Sequence, residues 1–544
     1  MSSPVSETSS APHQSSKPSS VRLARSVGVI GSATMISRVL GLVRDQVLAY
    51  LFGAGNAMDA FTIGFRIPNL MRDLFAEGAM SAAFVPTFTR RMTTDGREVA
   101  WRLGNQLINA LLLTTGILVI AGIIFAGPIV NMFAGDYANV PGKLELTTLL
   151  TRIMLPFLTL VTVAAAFMGM LNAHQHFFTP ALSPAMFNIA MIASGFGLVP
   201  LMPQFGLPPI TGMAIGTLLG GFGQGFIQWM ALRKQGYRYR LLLNPHDSGL
   251  QEVLRLMGPG TLGLAAVQIN LLVNSILATG EGTGAVSWLS YAFRLMYLPI
   301  GLFGVSIATA SLPQFSRMAA LENTTDMRKM ISSSLRLMMM LNVPAAVGLM
   351  VLATPIIALI FERGSFTSAD TAATAAALQC YAPGLIGYST VKITAPIFYA
   401  MRDSRTPAVI SGIAVALNLV LNLTLVRIMG YQGLALGTAI AAIFNALILM
   451  ILLHRRLDGI DGARLGITFI KIVVASIIMG SVAVVTERYL ADIWPSALLS
   501  VQILRLSITI AASVLVLCGA AQALRMDEFN DARRRIIAKL TGTV

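Results

Sequence analysis

The sequence GMAIGT at Gly212–Thr217 returns later in the chain as GLALGT at Gly433–Thr438. Three more pairs recur in the same order: Val85–Arg90 with Leu312–Arg317, Pro156 with Pro383, and Thr179–Ala181 with Thr406–Ala408. Each match alone is short, but four matches in one order at nearly constant offset indicate a duplicated unit. Two similar halves around a central site are typical of membrane transporters.

The composition places the chain in a bilayer. Of its 544 residues, 55% are hydrophobic and only 12% are charged, and the mean hydropathy is +0.72, far from the balance of soluble domains. The net charge of +15 is therefore interpreted by position, and no nucleic-acid partner is expected. Cys380 and Cys518 lie in apolar runs, and His174 and His176 lie in a short loop. We predict no metal site and no cofactor.

Fourteen apolar stretches are about long enough to cross a membrane. They lie near 27–52, 58–89, 103–134, 146–172, 180–201, 209–232, 250–279, 284–316, 327–361, 370–400, 406–428, 433–454, 465–487 and 497–524. The prediction is an all-α polytopic membrane protein with 14 transmembrane helices. Two pseudo-symmetric six-helix lobes would be followed by two extra C-terminal helices, because the repeat maps helices 1 to 6 onto helices 7 to 12.

Basic residues alternate between the loops of this topology. One side would hold Arg90, Arg91, Arg97, Arg233, Lys234, Arg238, Arg240, Arg317, Arg328, Lys329, Arg402, Arg405, Arg455, Arg456 and Arg464, and the other only Lys143, Arg363, Arg427 and Arg488. Because cytoplasmic loops collect Lys and Arg, we expect both termini in the cytoplasm. The expected domains are a disordered N-terminus (1–25), an N-lobe (26–240), a C-lobe (241–460), helices 13 and 14 (461–526) and a basic tail (527–544).

The first two stretches carry charges that a lipid-facing helix would not tolerate. They are Arg38, Arg44, Asp59, Arg66, Arg72, Asp73 and Glu77. One arginine at a helix centre costs roughly 2.5–3.5 kcal/mol on insertion scales, so these groups must pair with one another or line a cavity. Structural ion pairs are one interpretation. The other is an anion site, because the arginines outnumber the nearby acids and the guanidinium fork suits phosphate.

The second half supplies one charge at a matching position. Phe293-Arg294 occupies the repeat position of Phe65-Arg66, and Arg294 has no acid near it in its own span. With Ser287 one or two turns away, Arg294 is expected to face the arginines of the first half. Lys392, midway along the tenth stretch, is a further cation that either lines the cavity or extends to the interface.

Six motifs carry a resemblance to a known family. They are SRVLGLVRD at Ser37–Asp45, FGAG at Phe52–Gly55, DAF at Asp59–Phe61, PNL at Pro68–Leu70, FAEGA at Phe75–Ala79 and FVP at Phe84–Pro86. Together they resemble the MurJ (MviN) lipid II flippase family of the multidrug/oligosaccharidyl-lipid/polysaccharide exporter superfamily. The resemblance runs over the whole chain.

The resemblance implies translocation of lipid II, the undecaprenyl-diphosphate-linked peptidoglycan precursor, from the inner to the outer leaflet of the bacterial cytoplasmic (inner) membrane. It implies substrate binding by Ser37, Arg38, Arg44, Asn69, Arg72, Ser287 and Arg294. Gating or ion pairing falls to Asp59, Arg66, Asp73 and Glu77. Phe293 and Tyr297 replace two acids that the family often shows in the eighth span, which leaves Arg294 freer for substrate. Helices 13 and 14 resemble the family's groove for the polyprenyl tail.

We expect the lobes to rock around this cavity, exposing it to either side in turn. The expected partners are lipid II, or a related polyprenyl-diphosphate glycolipid, and membrane lipids. A flippase for another polyprenyl-diphosphate oligosaccharide is the closest alternative, and an exporter of cationic drugs is a weaker one because it requires carboxylates. No nucleophile, base and orienting group can be assembled, so we predict that the chain is not an enzyme.

Overall fold

The computed structural model describes residues 19–73, 80–321, 323–495, 498–530 and 533–534, and within them it contains helices and no strand. The first half contains α1 (Ser19–Phe52), α2 (Asn56–Arg72), α3 (Met80–Thr94), α4 (Arg97–Ile124), α5 (Ala126–Ala134), α6 (Lys143–Met154), α7 (Phe157–Ala173), α8 (Phe178–Gly197) and α9 (Thr211–Lys234). The second half contains α10 (Ser248–Thr279), α11 (Ala285–Pro299), α12 (Val305–Ala320), α13 (Thr324–Val351), α14 (Ala353–Phe361), α15 (Ser368–Tyr381), α16 (Gly384–Ala400), α17 (Arg405–Met429) and α18 (Tyr431–Arg456). The last two helices are α19 (Gly462–Ile493) and α20 (Leu499–Ala523).

The helices confirm an all-α polytopic membrane protein. Each of the fourteen apolar stretches is occupied by one helix or by two consecutive helices. By length and composition, seven helices of the described residues are long and apolar enough to cross a membrane. An eighth is reached if α8 and the 3₁₀ helix Val199–Phe205, bent by 54°, form one span. The count of fourteen spans stays a prediction.

The two halves break their helices at matching positions. Pro156 stands between α6 and α7, and Pro383 stands between α15 and α16. Proline lacks the N–H that continues the hydrogen bonds of a helix and so favours a break, although Pro68 and Pro344 lie inside α2 and α13. Phe125 and Leu352 mark corresponding breaks between α4 and α5 and between α13 and α14. The sequence repeat is therefore also a repeat of bent spans.

The repeated glycines permit close helix packing. A Cβ atom added at Gly216 of α9 would lie 2.6 Å from the Cβ of Ser194 in α8. At Gly433 and Gly437 of α18, an added Cβ would overlap the backbone of Leu425 and the side chain of Asn422 in α17. Small residues let membrane helices approach closely where no hydrophobic effect drives association. This explains why the GxxxG spacing appears in both halves.

The described chain ends differ from the expected domain limits. Helix α1 begins at Ser19, so residues 19–25, expected to be disordered, are helical, while residues 1–18 lie outside the described part. After α20, Asp527 pairs with Arg464 (2.7 Å) and Glu528 pairs with Arg336. The exposed Arg464 guanidinium lowers the pKa of the Asp527 carboxyl, mainly through a hydrogen bond. The beginning of the basic tail is thus attached to the second half.

Two ends of the bundle are distinguished by their contacts. At the basic end α3 meets the start of α10, where Arg91 donates to Ser248 Oγ (2.8 Å), and Arg456 pairs with Asp403. The opposite end consists of residues 50–56, 280–287 and 362–366. We call these two regions the basic end and the opposite end.

A substitution at Gly433 tests the packing. Gly433→Ala is expected to lower the free energy of unfolding by about 1–3 kcal/mol, because the new methyl group meets backbone rather than a movable side chain. Gly348→Ala is the control, since nothing lies within 4 Å of a Cβ at that position of α13. Thermal unfolding midpoints in detergent measure both. Equal midpoints for Gly433→Ala and the parent would contradict the packing argument.

Candidate functional site

A cavity of about 260 Å³ lies between the two halves. Helices α2 and α11, which correspond in the repeat, form facing walls, and α10 contributes a third. Its polar lining consists of Thr62, Arg66, Asn69, Asn274, Ser275, Ser290, Arg294 and Thr438. Arg66 and Arg294 thus line one cavity, as their matching positions in the repeat predict.

Asp45 is shared by two arginines from different halves. Arg44 Nη2 lies 2.8 Å from Asp45 Oδ1, and Arg294 Nη1 pairs with the same oxygen. Arg44 also donates through Nη1 to Asn188 Oδ1 at 3.1 Å, which joins α1 to α8. Arg294 has no acid near it in its own span, and its carboxylate partner comes instead from α1. Asp45 is the site residue that our sequence assignments omit.

Arg66 differs from its assignment to gating or ion pairing. No carboxylate of the described residues lies within ion-pair distance of it. Its guanidinium instead donates to Ser275 Oγ (3.2 Å) and to the Leu271 carbonyl (3.4 Å), both on α10. Hydrogen bonds to neutral groups hold the side chain but do not compensate its charge. Arg66 therefore presents an uncompensated cation to the cavity.

Arg38 is also without an ion-pair or hydrogen-bond partner in the part of the chain that the structure describes. It lies half-buried on α1, with its guanidinium against Gly301 of the π-helix Ile300–Gly304 that joins α11 to α12. A side chain at position 301 would overlap the guanidinium. The adjacent Ser37 carbonyl accepts from Asn188 Nδ2 (3.0 Å), which fixes this turn of α1.

Closer to the basic end, Asp73 collects three donors. Arg72 Nη2 lies 2.8 Å from Oδ1, while Asn69 Nδ2 (3.4 Å) and Gln268 Nε2 (3.2 Å) reach Oδ2. This is the structural ion pair that the sequence left open as one interpretation. Glu77, assigned with Asp73 to gating, lies outside the described residues.

Asp59 joins the halves at the opposite end. Its fully buried carboxylate accepts from Lys143 Nζ (2.8 Å), from the Gly284 backbone N–H (2.7 Å), and from Ser287 through N (3.1 Å) and Oγ (2.7 Å). The two backbone donors belong to the start of α11, where a helix favours negative charge. We call these four residues the Asp59 network.

Two members of that network differ from their assignments. Ser287, assigned to substrate, is fully buried against Asp59 and does not line the cavity. Lys143, counted as a loop cation, begins α6 and has a side chain only 2% exposed. One sign of this buried role was present in the sequence, because Lys143 is an isolated cation in a loop that is poor in basic residues.

Further contacts seal the opposite end. Thr283 Oγ1 donates to Asn56 Oδ1 (2.8 Å), and the Ser365 N–H donates to the Tyr50 carbonyl (2.9 Å). Gly53 (φ 58°) and Gly364 (φ 62°) adopt the left-handed conformation, where a side chain would strike the facing backbone. The cavity is therefore closed from the opposite end by contacts between the two halves.

An aromatic cluster occupies the positions where the resemblance suggests acids. Phe293 stacks on Tyr297 with ring centroids 5.9 Å apart and meets Tyr381 edge-on at 5.4 Å. Around the centre, Arg44 and Arg294 share the single carboxylate of Asp45, while Arg38 and Arg66 have no ion-pair partner among the described residues. This excess of cations favours an anionic ligand. Among the described residues no group of three His, Cys, Asp or Glu side chains is placed to hold a metal ion.

Removing the Asp59 charge tests the network. Asp59→Asn is expected to lower the free energy of unfolding by about 3–5 kcal/mol, because it leaves the Lys143 ammonium buried without a counter-charge. The double substitution Asp59→Asn with Lys143→Met removes that ammonium and is expected to recover part of the loss. Unfolding in a denaturant series measures both. A double variant less stable than Asp59→Asn would contradict the pairing.

Comparisons with known proteins agree with this geometry. A family model described as "Lipid II flippase MurJ" matches residues 48–504. A Vibrio cholerae protein named probable lipid II flippase MurJ is 37% identical over 445 residues, which cover 80% of this chain and 83% of the relative. A Bdellovibrio bacteriovorus protein of the same name is 34% identical over 515 residues, covering 94% and 97%.

Solved structures extend the similarity to the fold. One titled "Lipid II flippase MurJ, inward closed conformation" is 27% identical, has a TM-score of 0.74, and covers 91% of this chain and 99% of its own. An inward-facing multidrug resistance MATE family transporter of the MOP superfamily is 16% identical with a TM-score of 0.64. It covers 80% of this chain and 98% of its own, and it shows a shared fold alone. The resemblance carried by the Ser37–Pro86 motifs is confirmed, and the chain belongs to the MurJ lipid II flippase family.

Proposed function

We propose that this protein moves lipid II from the inner to the outer leaflet of the bacterial cytoplasmic membrane and that the cavity arginines bind its diphosphate. The excess of guanidinium groups between the halves is the observation that carries the proposal. The relatives named as lipid II flippases support the choice of cargo. Translocation makes and breaks no covalent bond, which is consistent with a cavity that binds and does not react.

The charges favour a phosphate ligand on physical grounds. Each arginine within about 4 Å of a phosphate oxygen gains about 4 kcal/mol of gross attraction at an effective dielectric constant near 20. Desolvation reduces this gain, but Arg66 and Arg38 are already partly buried without a carboxylate partner among the described residues. A diphosphate would supply the missing negative charge. Arg294 would then either leave Asp45 and pair with the ligand or donate hydrogen bonds to both.

The arrangement of the two ends suggests how the cargo crosses. With the opposite end sealed by the Asp59 network, we take the cavity to open toward the basic end in this state. We take the basic end as cytoplasmic, with both termini there. Rocking of the halves would break the seal and open the cavity to the other side. The membrane potential, about 2.3 kcal/mol per charge per 100 mV, is a plausible drive for such charged parts.

Helices α19 and α20 suit the proposed role of holding the polyprenyl tail. They pack against each other, α19 rests on α13, and Glu487 of α19 pairs with Arg505 of α20 (2.6 Å). Only 17% of the most apolar stretch of α20 is buried inside the protein. A long hydrocarbon chain beside α20 would remain in the bilayer while the head group occupies the cavity.

Another polyprenyl-diphosphate oligosaccharide would use the same arginines and is the second candidate cargo. The family match favours lipid II. A cationic drug would be repelled by Arg66 and Arg294, which line the cavity without a carboxylate among its described lining residues, and this argues against a drug-exporter function such as that of the transporters sharing this fold.

Replacement of two arginines that line the cavity, Arg66 and Arg294, and of the neighbouring Arg38 tests the diphosphate site. Arg38→Gln, Arg66→Gln and Arg294→Gln are each expected to weaken substrate binding about ten- to a hundredfold, the range for a lost hydrogen bond to a charged group. Outer-leaflet lipid II is measured in depleted cells by cleavage with an externally added head-group hydrolase. Accessibility should fall on depletion and return with the parent protein but not with the variants.

The controls separate charge from folding. Arg427→Gln removes an exposed arginine of α17 away from the cavity and should restore accessibility fully. Arg66→Lys keeps the charge but loses the planar fork, so partial activity is expected. Undiminished accessibility after depletion would indicate a different cargo. Full activity of Arg38→Gln, Arg66→Gln and Arg294→Gln would reject the diphosphate site.

A disulfide across the sealed end tests alternating access. Cysteines at Asn56→Cys and Thr283→Cys, in a background with Cys380→Ser and Cys518→Ser, are expected to cross-link and abolish transport until a reductant is added. The control pair, Asp403→Cys with Thr406→Cys, joins two short side chains of the second half that are in contact (2.8 Å) and should leave transport intact when oxidised. Transport by the oxidised Asn56 and Thr283 pair would show that this end does not need to open.

A further inference from the structure

A second cavity lies outside the transport site, on the membrane-facing side of the second half. It has a volume of about 490 Å³ and is formed by α13, α16, α18 and α19, with no residue of α20 in its lining. Its walls are almost entirely apolar and include Gly387, Ile443, Ala446, Met450, Leu465 and Phe469. From Ile443 to Arg455 it follows twelve residues of α18, which is about 18 Å at 1.5 Å per residue. We call it the α18–α19 crevice.

The mouth of the crevice is cationic. His454 and Arg455 line it at the basic end, where α18 finishes. Arg456 is held by Asp403, whereas Arg455 makes no ion pair with any described residue. His454 Nδ1 accepts from the Ile460 N–H at 3.3 Å, so in the neutral ring the proton is on Nε2, which is then a donor. A cation and a donor thus stand above a long apolar slot.

We propose that the α18–α19 crevice binds one acyl chain of an anionic phospholipid from the cytoplasmic leaflet, with Arg455 and His454 on the phosphate. The shape and apolar lining match a hydrocarbon chain, and the charge at the mouth matches the anionic lipids of that leaflet. A zwitterionic lipid such as phosphatidylcholine would bring a quaternary ammonium close to Arg455 together with its phosphate, which weakens the attraction. The site is separate from the arginine cavity, so its occupancy is measured without a transport assay.

Glycine positions provide matched variants. No atom lies within 4 Å of a Cβ at Gly466, which lines the crevice, so Gly466→Phe fills the slot without a clash at its first carbon. Gly412→Phe on α17 is the control, because that glycine is equally open but lies outside the crevice. Arg455→Gln removes the cation, and Arg405→Gln removes a comparable exposed arginine elsewhere at the basic end.

Native mass spectrometry of the purified full chain, titrated with phosphatidylglycerol or phosphatidylcholine of identical acyl chains, measures the dissociation constants. The parent protein should bind one phosphatidylglycerol about fivefold more tightly than phosphatidylcholine, the factor for one basic residue near an anionic group. Gly466→Phe should weaken both lipids by more than about tenfold, as expected for displacing three buried methylenes. Arg455→Gln should erase the preference and keep the weaker binding.

Three results would overturn the proposal. The first is that Gly466→Phe binds lipid as tightly as Gly412→Phe does. The second is that the parent protein shows no preference for phosphatidylglycerol over phosphatidylcholine. The third is that Gly466→Phe no longer binds undecaprenyl diphosphate but still binds phosphatidylglycerol, which would assign the crevice to the polyprenyl tail. Gly466→Leu, a smaller filler, repeats the test if the phenylalanine variant unfolds early. The lipid test does not depend on transport, so its result stands whether or not the arginine variants transport lipid II.

Discussion

Charge burial between the two halves is the constraint on which the rest of the structure depends. A guanidinium or carboxylate inside a bilayer is costly unless another group compensates it. The chain meets this demand at three levels: Asp59 with Lys143 at the opposite end, Asp45 with Arg44 and Arg294 at the centre, and Asp73 with Arg72 closer to the basic end. All three groupings reach from the first half to the second, through Gly284 and Ser287 at Asp59, Arg294 at Asp45 and Gln268 at Asp73. The contacts that make the charges tolerable therefore also hold one particular arrangement of the halves.

The three groupings differ in how completely the charges of their members are compensated. This difference separates the residues that hold the halves together from those that remain available to bind a ligand. Asp59 is fully buried with four donors, so nothing remains for a ligand. Asp45 has one carboxylate for two arginines, and Arg66 has only a hydroxyl and a carbonyl. An anion entering the centre would meet cations whose compensation is incomplete. Under the proposed function, movement of the halves would change the partners of Arg294, and ligand binding would be coupled to conformational change through this side chain.

Local regularity made much of the fold predictable. Fourteen apolar stretches became helices or bent helix pairs, since backbone groups within lipid must bond internally. Pro156 and Pro383 stand at two helix breaks, but Pro68 and Pro344 lie inside α2 and α13, so a proline alone does not locate a break. Crowding of charges in α1 and α2 located the region of the site. The start of α1 was less predictable: Ser19–Arg25 is rich in polar residues, yet it continues the helix that follows.

The partners of the charges were decided by tertiary structure. Spacing along a helix places Asp59, Arg66 and Asp73 on one stripe, but it does not say which of them will face Lys143, Ser275 or Gln268 across a gap. Arg294 and Ser287 illustrate the limit, because both have partners more than two hundred residues away that no local pattern reveals. By itself, the sequence determined a duplicated, helical membrane protein with arginines in its interior. Which arginines are compensated and which remain for a ligand depends on how the two halves meet, since an ion pair between halves exists only in their assembled geometry.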